Sequence, residues 1–373
     1  MKHTSGQVGD TRPRRICHVL TTLGFGGVET RMRVLARAFK GRENEISFIA
    51  INDGGAAEAE LRALGFEVLC LGAKPSVYSL GTLGKLTKTL RRLRPDVVHA
   101  HGAEANFHGL IAARLAGVPI RVGEEIGVPA HSALGRFVFK LAYASASRIV
   151  AISNVVAQAI ERLGEAKGNQ IVVVENPVRS INPKPVADRP ADRLRLVYVG
   201  RLVEWKEVSN VLHALAALRD RDTICELWIV GAGVERAGLE MLVERLGMAE
   251  TVRFFGFQDR PEDYVSSSDL FILPSNDKEG FCMALVEAMA AGTPAVSTAV
   301  GIAPEVIEDG QTGWLVPSQD IPALTEKLDQ VTRLGREAID RIGTAASRAV
   351  LARNSPEIYR DRLDRLYEEA PAA

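Results

Sequence analysis

The sequence predicts an α/β protein built as two tandem Rossmann-like, doubly wound domains that face each other across a cleft. Three observations predict it. Short apolar runs alternate with stretches of helical periodicity along most of the 373 residues, which is the signature of parallel strands covered on both faces. The alternation breaks once, in the proline- and charge-rich stretch 180–193 (SINPKPVADRPADR), and then restarts. The chain is also longer than one hydrophobic core usually fills.

Taken in order, the first half reads as strand Ile16–Thr22, glycine loop Leu23–Val28, helix Glu29–Phe39, strand Ile46–Ile51, helix Ala57–Leu64 and strand Glu67–Leu71. Leu80–Leu93 is a basic amphipathic helix, followed by strand Asp96–His101, helix Phe107–Ala116 and strand Ile120–Glu124. Helix Leu134–Ser147, strand Ile149–Ile152, helix Val155–Leu163 and strand Ile171–Glu175 complete it. The second half reads as strand Leu194–Val199, helix Asn210–Leu218, strand Cys225–Val230, helix Glu235–Leu246, and strands Val252–Phe255 and Leu270–Leu273. A small-residue helix around Leu285 follows, then strands Ala295–Ser297 and Trp314–Val316 and helices Ile321–Leu334, Glu337–Leu351 and Pro356–Glu369. The expected organisation is a disordered lead at 1–14, an acceptor-side domain at 15–180, a linker at 181–193 and a donor-binding domain at 194–355. A terminal helix at 356–373 is expected to pack back toward the first domain.

Composition excludes several classes. With 46 basic and 46 acidic residues the formal net charge is zero, against a nucleic-acid binder, which shows a basic excess. No run of about 18 apolar residues marks a membrane span. The N-terminus, MKHTSGQVGDTRPRR, has no apolar stretch of signal-peptide type after it. Cys17, Cys70, Cys225 and Cys282 are far apart and include no C-x-x-C pair, which fits reduced thiols and not a disulfide set or a zinc site. A cytoplasmic protein is expected. The basic stretch Lys85–Arg94 is a candidate contact with the inner face of a membrane, although charged outer faces are common on helices of such domains.

Four segments at strand ends carry the chemistry. Gly24-Phe25-Gly26-Gly27 lets a backbone approach a phosphate at a helix N-terminus, or simply makes a tight turn. It is not the dinucleotide fingerprint, whose third glycine position is Glu29. Arg201 and Lys206 follow the first strand of the second half and suit a diphosphate. Gly231-Ala232-Gly233 forms another open strand–helix turn. The fourth segment, Pro274–Pro294 (PSNDKEGFCMALVEAMAAGTP), holds Asp277, Lys278 and Glu279 in an exposed loop and Glu287 about two turns into the next helix. A carboxylate accepts two hydrogen bonds from adjacent sugar hydroxyls. The two glutamates bracket helix N–H groups suited to phosphate. Composition alone would equally allow two surface residues.

Together these segments resemble the glycosyltransferase group 1 family, retaining sugar-nucleotide-dependent transferases of the GT-B fold. Glu279, Gly280, Phe281, Glu287, Ala288, Met289, Ala290, Gly292 and Pro294 fit its Glu–Gly–Phe…Glu pattern. Gly200-Arg201 with Lys206, Gly256-Phe257, Gly301, Pro304–Ile307, Gly310–Gly313 and Gly26–Glu29 fit its other segments. The likeness runs from about residue 15 to 369 and is strongest in the second half. It implies that Glu279 contacts the donor sugar, helped by backbone at Gly280 and Phe281, and that Glu287 holds the ribose. Arg201 and Lys206 would neutralise the diphosphate, and Gly26 and Gly27 would close on it. Gly231, Gly256, Phe257, Cys282 and Met283 complete the expected donor site.

The sequence departs from the family at three positions. Ile126 stands where many members have histidine, which makes Glu125, His101 and His131 candidates for a polar group near the reacting centre. Glu207 stands where glycine is frequent, and Cys282 where proline is common. The expected activity is transfer of a hexosyl group from a nucleotide-diphosphate sugar to a glycan or lipid-linked intermediate of cell-surface polysaccharide synthesis. No metal or other cofactor is expected, and no Asp-x-Asp metal motif is evident. The alternatives are a sugar-nucleotide epimerase of the same fold and a catalytically silent sugar-nucleotide-binding protein.

Overall fold

The computed structural model describes residues 13–24, 27–74, 76–77, 79–178 and 181–372. Its first domain contains β1 (Arg15–Leu20), α1 (Gly27–Phe39), β2 (Glu45–Ala50), α2 (Ala56–Ala63), β3 (Glu67–Cys70), α3 (Leu80–Leu93) and β4 (Val97–His101). These are followed by α4 (Ala103–Ala116), β5 (Ile120–Glu125), α5 (Ala133–Tyr143), β6 (Arg148–Ala151), α6 (Asn154–Leu163) and β7 (Ile171–Val173). The sheet is parallel throughout, in the order β3-β2-β1-β4-β5-β6-β7.

The second domain contains β8 (Leu194–Val199), α7 (Val208–Arg219), β9 (Cys225–Val230), α8 (Arg236–Arg245), β10 (Val252–Gly256), α9 (Pro261–Val265) and β11 (Leu270–Leu273). Then come α10 (Met283–Ala290), β12 (Ala295–Thr298), α11 (Ala303–Val306), β13 (Gly313–Val316), α12 (Ile321–Thr332), α13 (Arg336–Asn354) and α14 (Pro356–Glu369). Its parallel sheet runs β10-β9-β8-β11-β12-β13. The winding direction reverses between β1 and β4 and between β8 and β11. In open α/β sheets ligands bind outside the carboxyl ends of the strands at such a reversal.

The strands bury both faces, so they are apolar runs: β9 (CELWIV) and β11 (LFIL) are buried along their whole length. Serine hydroxyls start several of the helices by accepting an N–H of the first turn. Ser132 caps α5 at Gly135 N, 3.2 Å, Ser153 caps α6 at Val156 N, 3.3 Å, and Ser355 caps α14 at Ile358 N, 3.3 Å.

Most element ends fall within a few residues of the sequence expectation. α4 starts at Ala103, earlier than Phe107, because its first turn is made of alanine, glutamate and asparagine and shows no apolar stripe. α5 stops at Tyr143 instead of continuing to Ser147, because the chain must turn there to enter β6. Arg121 fixes that turn by donating to Ser145 O (2.6 Å) and Val118 O (2.6 Å). The short helices α9 and α11 have too few residues to show a helical period.

The segment 181–193 contains neither helix nor strand. One apolar cluster runs across both domains, joining Ile152 and Val156 to Phe281, Leu285 and Ile302. α14 crosses back onto the first domain, where Tyr359, Leu363, Leu366 and Tyr367 enter the cluster with Met32 and Leu35 of α1. Among the described residues no helix is long and apolar enough to cross a membrane.

Leu363 is fully buried at the α1–α14 contact. Leu363→Ala should therefore cost about 2–5 kcal/mol of unfolding free energy, read from the midpoint of urea denaturation with the slope unchanged.

Candidate active site

The site is assembled at the carboxyl ends of β8 and β11. β8 ends at Val199, and a single turn of 3₁₀ helix, Glu204–Lys206, leads to α7. That turn aims Lys206 back across the strand ends, where its ammonium pairs with the Glu279 carboxylate. The Lys206 ammonium also lies 4.5 Å from the centre of the Trp205 ring, within cation–π range. Both members of the pair are buried, Lys206 8% and Glu279 6% exposed. Lys206 and Glu279 are thus brought together, but Glu279 does not sit in an exposed loop as its sequence neighbours suggest. A charge of either sign is stable at that depth only because the other is present. Arg201 stays exposed, its guanidinium carbon 5.8 Å from the Trp205 ring.

The residue after Lys206 explains one departure from the family. Glu207 has φ 49°, the left-handed conformation that glycine adopts without penalty. Its carboxylate holds the turn by accepting from Asn210 Nδ2 (3.0 Å), Asn276 Nδ2 (3.1 Å) and Gln319 Nε2 (2.8 Å). Asn276 N also donates to Trp205 O at 3.0 Å. The Lys206 turn and the loop that carries Glu279 therefore form one hydrogen-bonded unit.

The Glu279 loop ends at Cys282, whose φ of 69° and ψ of 82° aim the chain into α10. Proline is locked near φ −65° and could not take this conformation, so Cys282 is not interchangeable with proline on this backbone. Burial pushes its thiol up to about 12, helped by the nearby Glu279 charge, and it is a packed neutral group rather than a nucleophile. Phe281 is buried and Met283 opens α10. Glu287 is the fifth residue of α10, little more than one turn in, not two.

Glu287 lines a cavity of about 500 Å³ with Phe257, Gln258 and Ala284 on one side and Thr30, Arg33 and Val34 of α1 on the other. The size suits a nucleoside-sized ligand. Phe257 is 67% exposed at its mouth. Gly256, at φ 70°, makes the turn that presents it. Gly231 has a packing role: a Cβ there would fall 1.8 Å from Gly200 O, so the missing side chain lets two strand ends touch. Gly27 is the first residue of α1, with open space where a side chain would be. Gly26 lies outside the described residues.

Across the cleft, the first domain closes on the same loop. A Cβ on Gly280 would stand 2.8 Å from the Cα of Gly127. Ser153 Oγ, fully buried, donates to Gly280 O at 2.6 Å, and Asn154 gives Glu305 two hydrogen bonds, 3.0 Å from its N–H and 2.8 Å from its amide. Sequence reasoning missed Ser153 and Asn154. Nothing local to them indicates a partner more than a hundred residues away.

The three candidates for the absent histidine differ in what surrounds them. His101 is 2% exposed and belongs to a buried network on the α1 side of the sheet. There Glu124 accepts from Arg31 and His101, Arg31 donates to Asn176 Oδ1 (2.7 Å), and the rings of His101 and His18 bond at 2.9 Å. Burial, with His99 beside it, drops the His101 imidazole to about 3. His101 is thus a neutral structural group and not a substrate-facing one. Burial alone would raise the Glu124 carboxyl, but Arg31 and then His101 hold it well below the usual range. The ring nitrogens of His18, His99 and His101 lie within 4.8 Å of one another, a metal-like spacing. The Arg31 guanidinium lies 3.1 Å from His101 Nδ1, and its positive charge disfavours a cation beside that ring.

Glu125 points to the opposite face, where the Tyr143 hydroxyl donates to it and Asn106 Nδ2 lies at 3.4 Å. Burial raises its carboxyl to about 7, against the lowering effect of Tyr143. His131 stacks on Phe139, ring centres 4.1 Å apart, and bonds Glu165 Oε1 at 2.7 Å.

With this geometry in view, comparison with known proteins is informative. A family model described as "Glycosyl transferases group 1" matches residues 182–349, and one described as "Glycosyltransferase Family 4" matches residues 25–180. Residues 182–349 thus form a glycosyltransferase group 1 domain, preceded by a domain of the family 4 type. Among curated proteins it is 32% identical over 168 residues to a putative colanic acid biosynthesis glycosyltransferase, WcaL of Salmonella typhimurium. That alignment covers 43% of this chain and 41% of WcaL, so the chain spans well under half the length of that relative. Among solved structures, a glycosyltransferase from Rickettsia africae superposes with TM-score 0.82 at 20% identity, covering 96% of this chain and 98% of that one. HepE of Anabaena in complex with UDP gives TM-score 0.80 at 20% identity, with 95% and 99% covered. These likenesses show the GT-B fold.

The Glu125 carboxyl makes a pH prediction. An unfolded carboxyl ionises near 4.5 and the folded one near 7. The folded state therefore holds the extra proton between those values, and its stability falls as pH rises through them. Glu125→Gln should abolish this loss: urea denaturation should show the variant gaining on the parent chain above pH 7 relative to below 4.5.

Proposed function

We propose that this glycosyltransferase moves a hexosyl group, with retention of anomeric configuration, from a nucleoside-diphosphate sugar to a glycan or lipid-linked acceptor of polysaccharide synthesis. The observation that carries the reading is the Lys206–Glu279 pair. It sits at the reversal point of the second sheet, between exposed Arg201 and the start of α10, one helical turn from Glu287 and its cavity. The UDP named in the HepE complex and the polysaccharide pathway named for WcaL support the choice of substrates.

The residues divide the donor between them. Phe257 and Gln258 flank the base, and Glu287 accepts the ribose hydroxyls. The diphosphate lies against the first turn of α10, whose leading N–H groups have no acceptor inside the helix. Its charge competes with Glu279 for Lys206. As the ammonium turns to the phosphate, Glu279 is released to accept hydrogen bonds from the hexose hydroxyls. When the bond from the anomeric carbon to the phosphate oxygen breaks, negative charge grows on the leaving diphosphate. Lys206 and Arg201 are already placed to stabilise it. No resident metal enters this reading, since the two cations supply the positive charge, and turnover is expected to survive chelation of divalent ions.

A donor screen by thermal shift tests the class of ligand, because a ligand of the native state raises its apparent stability. A sugar nucleotide should raise the unfolding temperature, and none doing so would sink the reading. Lys206→Met and Glu279→Gln should each lower kcat by about 100-fold or more, the scale seen when one preorganised charge-stabilising group is lost. Glu287→Gln should mainly raise the donor KM. NMR of the product anomer decides retention, and epimerised donor formed without acceptor would overturn transfer altogether.

A further inference from the structure

α5 has two unlike faces. Phe139, Ala142 and Tyr143 point inward, and Tyr143 reaches the Glu125 carboxylate. The outward face carries Leu134, Phe137 and Leu141, exposed by 63%, 60% and 57%. At 100° per residue these three fall within about 60° of one another and make one stripe. Arg136 and Lys140 are exposed along one flank of it, and α5 has no acidic residue. Scattered apolar residues are normal on a protein surface, but a stripe of three large ones on a single helix marks a contact surface.

Charge identifies the contact. α3, α4 and α5 pack side by side on the same face of the first sheet. Their seven basic residues are all exposed: Lys85, Lys88, Arg91 and Arg92 of α3, Arg114 of α4, and Arg136 and Lys140 of α5. The only acidic residue in these three helices is Glu104. The whole chain has no net charge, so this face is selectively basic. An apolar stripe within a basic layer is complementary to an anionic lipid surface, with the apolar side chains at the acyl boundary and the cations among headgroups. The basic α3 lacks such a stripe. Its leucines 86 and 90 are buried, and only Leu80, at its first position, is strongly exposed.

We infer that α5 docks this chain on an anionic lipid bilayer through Leu134, Phe137 and Leu141, with the basic residues of α3–α5 supplying the electrostatic attraction. The location bears on the reaction. The chain between β5 and α5 includes Gly127 and Val128, which pack on Gly280 of the donor loop, and Leu134 follows Val128 by six residues. Ile126, 40% exposed, lies between the strand end and that contact. A docked α5 therefore holds the acceptor side of the cleft at the membrane surface. Docking stands independently of the transferase reading, whereas delivery of a lipid-linked acceptor by this route rests on it.

The test is co-sedimentation of the full chain with phosphatidylcholine vesicles, with and without phosphatidylglycerol. The parent chain should partition onto anionic vesicles and be released by salt. The triple variant L134S/F137S/L141S should lose about tenfold or more of that partitioning, and R136Q/K140Q about tenfold. The altered side chains are exposed, so both variants should keep the parent unfolding temperature and the donor-induced thermal shift, which reads the proposed function separately. A parent chain that ignores anionic vesicles overturns the inference, as does a triple variant that binds like the parent. A dimer seen by light scattering and lost in the triple variant would assign the stripe to a second copy of this chain instead.

Discussion

The buried ion pair between Lys206 and Glu279 is the constraint on which the rest of the site depends. Each charge is tolerable at its depth only with the other beside it, so the pair fixes the distance between the β8 turn and the β11 loop. The supporting contacts serve that distance. Glu207 accepts three amide hydrogen bonds, and the one from Asn276 locks the first segment to the second. Gly301, at φ 56°, lets its turn come so close that a Cβ there would fall 3.0 Å from Phe281 O and 3.1 Å from Glu279 Cγ. The left-handed Cys282 then directs the chain into α10. A non-glycine residue held at positive φ beside a ligand site is a form of stored strain, and here the well-packed surroundings of Phe281 and Leu285 maintain it.

The same loop is also the meeting point of the domains. Ser153 reaches Gly280 O, Gly127 approaches Gly280 too closely to admit a side chain there, and the shared apolar cluster surrounds both. The Glu279 loop is therefore positioned from two sides, by its own sheet through Lys206 and Asn276 and by the first domain through Ser153. The second polar centre, Arg31–Glu124–His101, lies inside the first domain and ties α1 to the ends of β4 and β5. It orients the helix that forms the far wall of the Glu287 cavity. Histidines that are fully buried and neutral serve there as hydrogen-bonding core residues.

The alternation of apolar and helical segments was legible because parallel strands buried on both faces are continuous apolar runs, and β9 and β11 are extreme cases. The charged strand-end segments were legible as a motif: Glu279, Glu287, Arg201 and Lys206 lie on loops and a helix that meet at the carboxyl ends of β8 and β11. Their environments were not. Asp277, Lys278 and Glu279 look like a solvated charged loop in one dimension, and only folding shows that Glu279 turns inward to meet a lysine seventy-three positions earlier. His101 reads as a candidate for the reacting centre, and Glu124 as an ordinary strand end next to a cleft. The helix covering them, α14, comes from the other end of the chain.

What the sequence determined by itself was the fold class, the family and the short list of charged residues at strand ends, since these depend on local periodicity and on spacing within single loops. What the tertiary structure decided was which charges pair, which carboxylates face inward and which helix leaves apolar side chains uncovered. The basic helix α3 stands out in the sequence through its charge, yet its leucines are spent on packing against α4. The uncovered leucines and phenylalanine belong to α5, whose sequence looks like an ordinary core helix. The physical reason is that burial is a property of what packs against a residue. A one-dimensional pattern gives the stripe on a helix but not whether another element covers it.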